Sequence, residues 1–227
     1  MASRIYTEID ERRRQALILR IARAAFLRDG YSATSMASIA AKVGGSKTTL
    51  YRRYPSKQDL FIAVCQLETE KIVNRLFAIE FDVSDIETAL HDFCVQNMNV
   101  FLDDDVTAFH RIVIGEGGKF PQVGHEAHKA NERLGRDRME RVLKKAMEAG
   151  QLRQADPRDA AELLYDLGIA FQHKVRLWNS VKNVTPQMIE KHVAYMMTVF
   201  FATFGNEELS RKARGAQKTK GEPARAR

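Results

Sequence analysis

The chain has little of what marks secreted, membrane or β-rich proteins. Its 227 residues include only two cysteines, Cys65 and Cys94. That is too few for a disulfide framework, so a reducing compartment is the expectation. The first residues, MASRIYTEIDERRR, hold no apolar core of a secretory signal. The longest apolar run, Val193 to Phe204, is 12 residues, whereas crossing a bilayer takes about 20. Sustained two-residue alternation of apolar and polar positions is missing, and there are only five prolines. Collagen-like, disulfide-stapled and membrane-spanning readings are excluded. What remains is a helical, soluble chain expected in the cytoplasm.

What is there begins with charge. Lysine and arginine number 36 against 29 aspartates and glutamates, a net +7. The excess is uneven: residues 1–60 carry 12 basic and 5 acidic side chains, 61–205 carry 17 and 21, and 206–227 carry 7 and 3. A basic head, a mildly acidic body and a basic tail point to a polyanion met at one end.

Apolar spacing reads as helix throughout, with Pro55, Pro121, Pro157 and Pro186 at expected starts or stops. A first helix is expected from about Thr7 to Gly30. A second runs from Ser35 to Lys42 with Thr34 as its N-cap, and a third from Ser46 to Arg53 after the Gly44-Gly45 turn. Longer helices follow, over 56–81, 84–102, 106–115, 121–149, 157–179 and 186–204. The expected organisation is a head over 1–55, a helical body over 56–206 and a disordered basic tail over 207–227.

The pair of short helices within 34–53 is the feature that carries chemistry. Two short helices around a tight glycine-containing turn make a helix-turn-helix, whose second helix must fit a major groove about 12 Å wide. Ser46, Lys47, Thr48 and Thr49 fall in the first turn of that helix, where short polar and basic side chains reach base edges. Leu50 is its apolar anchor. Tyr51, Arg52, Arg53 and Lys57 fall at the rim, placed for phosphate oxygens.

The wording of this stretch is similar to a known pattern. Gly30-Tyr31, Thr34 with Ile39-Ala40, Gly44-Gly45-Ser46-Lys47-Thr48-Thr49-Leu50-Tyr51 and Ser56-Lys57-Gln58-Asp59-Leu60 closely resemble the head of the TetR family of bacterial transcriptional regulators. The resemblance implies an all-α protein, with a three-helix DNA-binding head on a larger ligand-binding and dimerising body. By position it implies phosphate contacts from Thr34, Tyr51 and Lys57 and base contacts from Lys47, Thr48 and Thr49. Two departures stand out: Gly45 replaces a small apolar residue, and Thr48 replaces a frequent glycine, which alters the bases accepted. Further along, Arg111 to Pro121 resembles the AefR-like C-terminal class of the family.

In the body, Phe93, Phe101, Phe109, Phe120, Phe171 and Trp178 are spaced as core residues, or as the lining of a cavity. If a cavity exists, Asn97, His110, Glu116 and Tyr165 are the polar residues available to orient a small-molecule effector. The candidate ligand set is therefore Phe93, Asn97, Phe101, His110, Glu116, Tyr165, Phe171 and Trp178. His125 and His128 share a metal-compatible spacing but lack further ligands, and Gly115-Glu116-Gly117-Gly118 lacks the Lys-Ser/Thr of a phosphate loop. No nucleophile with a base, acid pair or cofactor loop is present, so neither an enzyme nor a cofactor is expected. The last two helices are apolar on more than one stripe, as a homodimer interface requires. Such a dimer would present two recognition helices to a palindromic operator.

Overall fold

The computed structural model describes residues 2–44, 47–78, 81–131, 135–168, 171–180 and 183–221. Among them the secondary structure is helical, with one isolated bridge pairing Leu152 and Gly205. Twelve helices are described in order: α1 (Ala2–Ala33), α2 (Met36–Val43), α3 (Lys47–Arg53), α4 (Lys57–Leu76), α5 (Ile86–Leu102), α6 (Asp104–Gly117), α7 (Pro121–Asn131), α8 (Asp137–Glu148), α9 (Pro157–Gly168), α10 (Phe171–Leu177), α11 (Pro186–Phe204) and α12 (Glu207–Gly221). The helix expected over 121–149 is thus two, α7 and α8, and that over 157–179 is α9 and α10.

Contacts gather the chain into two compact units. Unit 1 comprises Met1–Lys71 with Ala108–Ala130, and unit 2 comprises Ile72–Thr107 with Asn131–Arg227. The sequence expectation drew its line between 55 and 56; the units follow the two apolar cores, which are discontinuous in the chain.

The core of unit 1 gathers Ile18, Phe26, Ile39, Leu60 and Phe61, all essentially inaccessible to solvent, with Phe109 and Val123 from the distant segment. Its aromatic rings touch in series. Phe61 lies 4.9 Å from both Phe26 and Tyr31, Tyr31 lies 5.0 Å from Phe120, and Phe61 lies 6.4 Å from Phe109. Edge and tilted contacts of this kind add to the burial of the rings themselves. Polar links follow the same seam, with Gln58 donating to Gln122 at 2.9 Å. A buried Glu68 is held by Arg23 at 2.6 Å and Lys71 at 2.8 Å.

Unit 2 is built on α11, which packs against α5, α9 and α12, while α8 packs against α9. Phe93, Leu164, Val193 and Phe200 are fully buried there. The tail expected to be disordered over 207–227 is corrected as far as Gly221, because 207–221 form α12. Leu209 and Ala213, one turn apart, give that helix a narrow apolar stripe against the unit 2 core. Asn206 accepts from the Leu209 amide at 3.1 Å, Glu207 and Glu208 sit in the first turn, and Lys212 pairs with Glu87 at 2.8 Å. Gly205 makes the junction feasible: a Cβ there would lie 2.5 Å from the Phe201 carbonyl oxygen. Residues 222–227 lie outside the described residues. Both cysteines are buried; burial pushes the Cys65 thiol up to about 12 and the Cys94 thiol upward as well, so neither carries thiolate character.

Candidate nucleic-acid interface

Ser35 opens α2. Its backbone is extended and its hydroxyl accepts from the Ser38 amide at 3.0 Å. The N-cap expected at Thr34 is therefore one residue later, and Thr34 has a different task. Its side chain is buried and its hydroxyl donates toward the Gly30 carbonyl at 2.7 Å and the Ala25 carbonyl at 3.3 Å. That geometry ties the start of α2 to the end of α1. The phosphate contact expected of Thr34 would require its hydroxyl to leave these carbonyls.

α2 closes at Gly44, whose φ of 70° and ψ of 24° are left-handed values that glycine adopts without steric cost. Gly45 and Ser46 lie outside the described residues. α3 then holds to unit 1 through a single buried residue, Leu50, with the Tyr54 amide donating to its carbonyl at 2.8 Å. With Leu50 inward, helical spacing sends Lys47 and Tyr51 to one side and Thr48 and Arg52 beside them. All four are exposed, Tyr51 by 44%, while Thr49 is half-buried. Arg53 is exposed and donates to the Glu11 carbonyl at 3.4 Å. The result is a short helix with one apolar residue inward and a basic, hydroxyl-bearing face outward, within a unit whose first 60 residues carry the positive excess.

Lys57 does not join that face. Its ammonium donates to the carbonyls of Tyr31, Ser32 and Thr34 at 2.9, 3.1 and 3.0 Å and sits 4.5 Å from the centre of the Tyr31 ring. All three of its protons are thus used on carbonyls just past the break in α1 at Gly30. The phosphate role expected of Lys57 would require the ammonium to leave these carbonyls. Sequence alone gives no signal for this clamp, because the three carbonyls are brought under Lys57 only by the bend at Gly30, where φ is 77°. Lys57→Met is expected to destabilise unit 1 by about 1–2 kcal/mol, the low end for charge-assisted bonds because the group is half-exposed. The slope of log affinity for DNA against log salt should stay as in the parent, whereas a phosphate-bound lysine would lower it by about 0.9. Thermal melts and binding at three salt concentrations decide between them.

The candidate ligand residues fall into two groups. Phe93, Asn97 and Phe101 are buried at four-residue spacing on α5, and Tyr165 is buried on α9, all in unit 2. The Phe93 and Tyr165 rings meet edge to face at 5.9 Å, and Phe101 meets the His173 ring at 5.5 Å. His110 and Glu116 belong to unit 1, where Ser32 reaches Glu116 at 3.5 Å. Trp178 is 69% exposed, with Lys174 5.9 Å from its ring centre. His110, Glu116 and Trp178 therefore do not join the unit 2 cluster, because α6 turns into unit 1 and α10 ends at the surface. The Phe171 side chain lies outside the described residues. Within the cluster, both polar atoms of Asn97 and the Tyr165 hydroxyl are buried without a hydrogen-bond partner among the described residues. A buried polar group left in that state costs about 1–3 kcal/mol. Burial also raises the Tyr165 hydroxyl pKa, so it stays a neutral donor.

Comparison with known proteins matches an N-terminal and a C-terminal part of the chain separately. The model of the AefR-like transcriptional repressor C-terminal domain matches residues 88–206, more than half of the chain. The model of the bacterial regulatory proteins of the tetR family matches residues 18–64. The HTH-type transcriptional activator FasR of Mycolicibacterium smegmatis is 31% identical over 123 residues, 54% of this chain and 55% of that protein. The DNA-binding transcriptional repressor TetR of Mycobacteroides abscessus is 38% identical over 64 residues, 28% of this chain and 34% of that protein. The chain thus spans about half and about a third of the length of these curated relatives. Among solved structures, the flavonoid-responsive regulator FrrA is 28% identical, with 86% of this chain and 98% of that one covered at a TM-score of 0.75. A tetR-family regulator from Mesorhizobium loti shares the fold at 24% identity, with 85% and 97% covered and a TM-score of 0.73.

Proposed function

The chain belongs to the TetR family of bacterial regulatory proteins, and from that premise we propose that it is a homodimeric repressor, released from a two-fold symmetric operator when a small molecule enters its body. It is a transcriptional regulator with a DNA-binding head, and not an enzyme. The observation that carries the reading is the outward face of α3. Lys47, Thr48, Tyr51 and Arg52 are exposed together on a helix whose one buried residue is Leu50. Lys47 and Thr48, with Thr49 and Ser46 beside them, are assigned to base edges, and Tyr51 and Arg52 to phosphates.

The other parts of the reading have separate support. Met188 and Tyr195 are exposed by 43% and 58% and lie seven residues apart on α11, an apolar face that a second copy would cover. No described helix is long and apolar enough to cross a membrane, and DNA as the partner supports the cytoplasmic reading. Relatives are described with both signs, an activator and a repressor; the repressor reading rests on the C-terminal model, which covers the larger part of the chain. FrrA is described as responsive to flavonoids, which favours a small-molecule signal here. Release then follows from population shift: a ligand that binds one separation of the two heads better lowers affinity for DNA spaced for the other. α4, which begins in unit 1 at Lys57, is the lever in this scheme.

The test is selection of the purified protein on a random duplex library near physiological salt, followed by a promoter reporter carrying the enriched site. An enriched inverted repeat and a silenced reporter are the expected results. Enrichment of a single half-site would remove the dimer, a reporter switched on by the protein would reverse the sign, and binding that only fades with salt would remove specificity.

A further inference from the structure

The joint between α11 and α12 borders a pocket of about 560 Å³, a size that suits a small molecule. Backbone contacts pin its walls. Leu152 and Gly205 form the isolated bridge, and the Arg153 amide donates to the Phe204 carbonyl at 3.0 Å. The Asn206 carboxamide donates to the Gly150 carbonyl at 3.2 Å. The segment that follows α8 is thereby fixed against the start of α12.

Its charge is one-sided. Arg153, Arg211 and Arg214 line it against Glu207 alone, three guanidiniums to one carboxylate and a local excess of +2. Helical spacing explains the grouping. Glu207, Ser210, Arg211 and Arg214 share one stripe of α12, while Leu209 and Ala213 turn to the core and Lys212 turns to Glu87. Arg211 and Arg214 are exposed and make no hydrogen bond or ion pair among the described residues. Arg153 is held in place: its Nε donates to the Thr203 carbonyl and its guanidinium lies 5.4 Å from the centre of the Phe204 ring. Its two terminal nitrogens are left to donate elsewhere. Like charges gathered in this way repel one another, and a bound anion relieves the repulsion. Ser210 narrows the choice further. Its hydroxyl donates toward the Gly205 and Phe201 carbonyls at 2.9 and 3.0 Å, so toward a ligand its oxygen can only accept.

We propose that this pocket binds a small phosphate monoester that also carries hydroxyl groups, that is, a sugar or polyol phosphate. A phosphate monoester carries about −1.5 to −2 charges at neutral pH, which matches the excess in the pocket. Its terminal oxygens accept from guanidiniums in pairs, and a neighbouring hydroxyl donates to Ser210. A carboxylate or a DNA phosphodiester brings one charge per group, and the DNA backbone has no hydroxyl to give to Ser210. None of the candidate ligand residues of the body lines this pocket, so the site is separate from the effector reading above.

Calorimetric titration of the full chain near neutral pH and about 0.15 M salt tests this, with glucose 6-phosphate, ribose 5-phosphate and glycerol 3-phosphate as probes. At least one of the three should bind. Arg211→Gln and Arg214→Gln should each weaken that binding about fivefold or more. Both variants should melt at the parental temperature, since neither side chain has a partner to lose. Glu207→Gln should tighten binding. Lys212→Gln removes the same charge from the other side of α12 and should leave affinity within about twofold of the parent. Four results overturn the proposal. They are no binding of any of the three esters, an equal loss in Lys212→Gln, inorganic phosphate bound as tightly as the best ester, and arginine variants that weaken only a scrambled DNA duplex. The second would reduce the effect to net charge, and the last would assign the arginines to nucleic acid.

Discussion

Phe61→Ala is expected to unfold unit 1 and to leave the core of unit 2 folded. The ring is fully buried and packs against Phe26, Tyr31 and Phe109. Truncating such a residue costs about 3–5 kcal/mol, a large share of a domain's total. Hydrogen exchange reads the outcome by segment. Amides of 108–117 should lose protection together with those of α1 and α2, while α5, α9 and α11 keep theirs. If 108–117 stayed protected with α5, the grouping of that segment with the head would be wrong.

The double substitution Lys47→Ala, Tyr51→Ala should abolish specific operator binding at an unchanged melting temperature. Lys47 and Tyr51 are exposed and contribute nothing to the core around Leu50. A base-edge contact is worth about 1–3 kcal/mol, or roughly 5- to 150-fold in affinity. Loss of a phosphate contact from Tyr51 would fall on every sequence alike. Fluorescence anisotropy with the selected site and a scrambled duplex separates the two losses. Lys47→Ala alone should narrow the gap between the duplexes, and Tyr51→Ala alone should weaken both. Unchanged operator affinity in the double variant would favour a helical adaptor that does not read DNA through α3.

Much of this was legible in the residues. The Ser56–Asp59 box at the start of α4 has the spacing of a reciprocal cap, and the structure forms it, with the Ser56 amide donating to Asp59 at 3.0 Å and the Asp59 amide to Ser56 at 3.1 Å. Asp103 likewise accepts from the Asp105 and Val106 amides at the turn read between two helices. What escaped depends on contacts between residues far apart in the chain. Nothing local distinguishes Lys57 as a clamp from Lys57 as a phosphate ligand, since the difference lies in three carbonyls 23 to 26 residues away. Helix α12 escaped for another reason. Leu209 and Ala213 are a slender stripe among arginines, lysines and glycines, and only the α11 surface makes a helix of it. Nor could periodicity tell that His110 and Glu116 turn toward one core while Phe93 and Asn97 fill the other.

The discontinuous core of unit 1 also bears on how such regulators can be recombined. A chimaera that grafts residues 1–55 onto another body would carry the recognition helix but leave behind Phe61, Phe109 and Val123, three of the side chains that complete the apolar core it belongs to. A graft ending at 71 would still lack the last two. For operator specificity to travel intact between proteins of this kind, the transplanted piece must include 108–130 as well, or the recipient must supply residues of matching shape there.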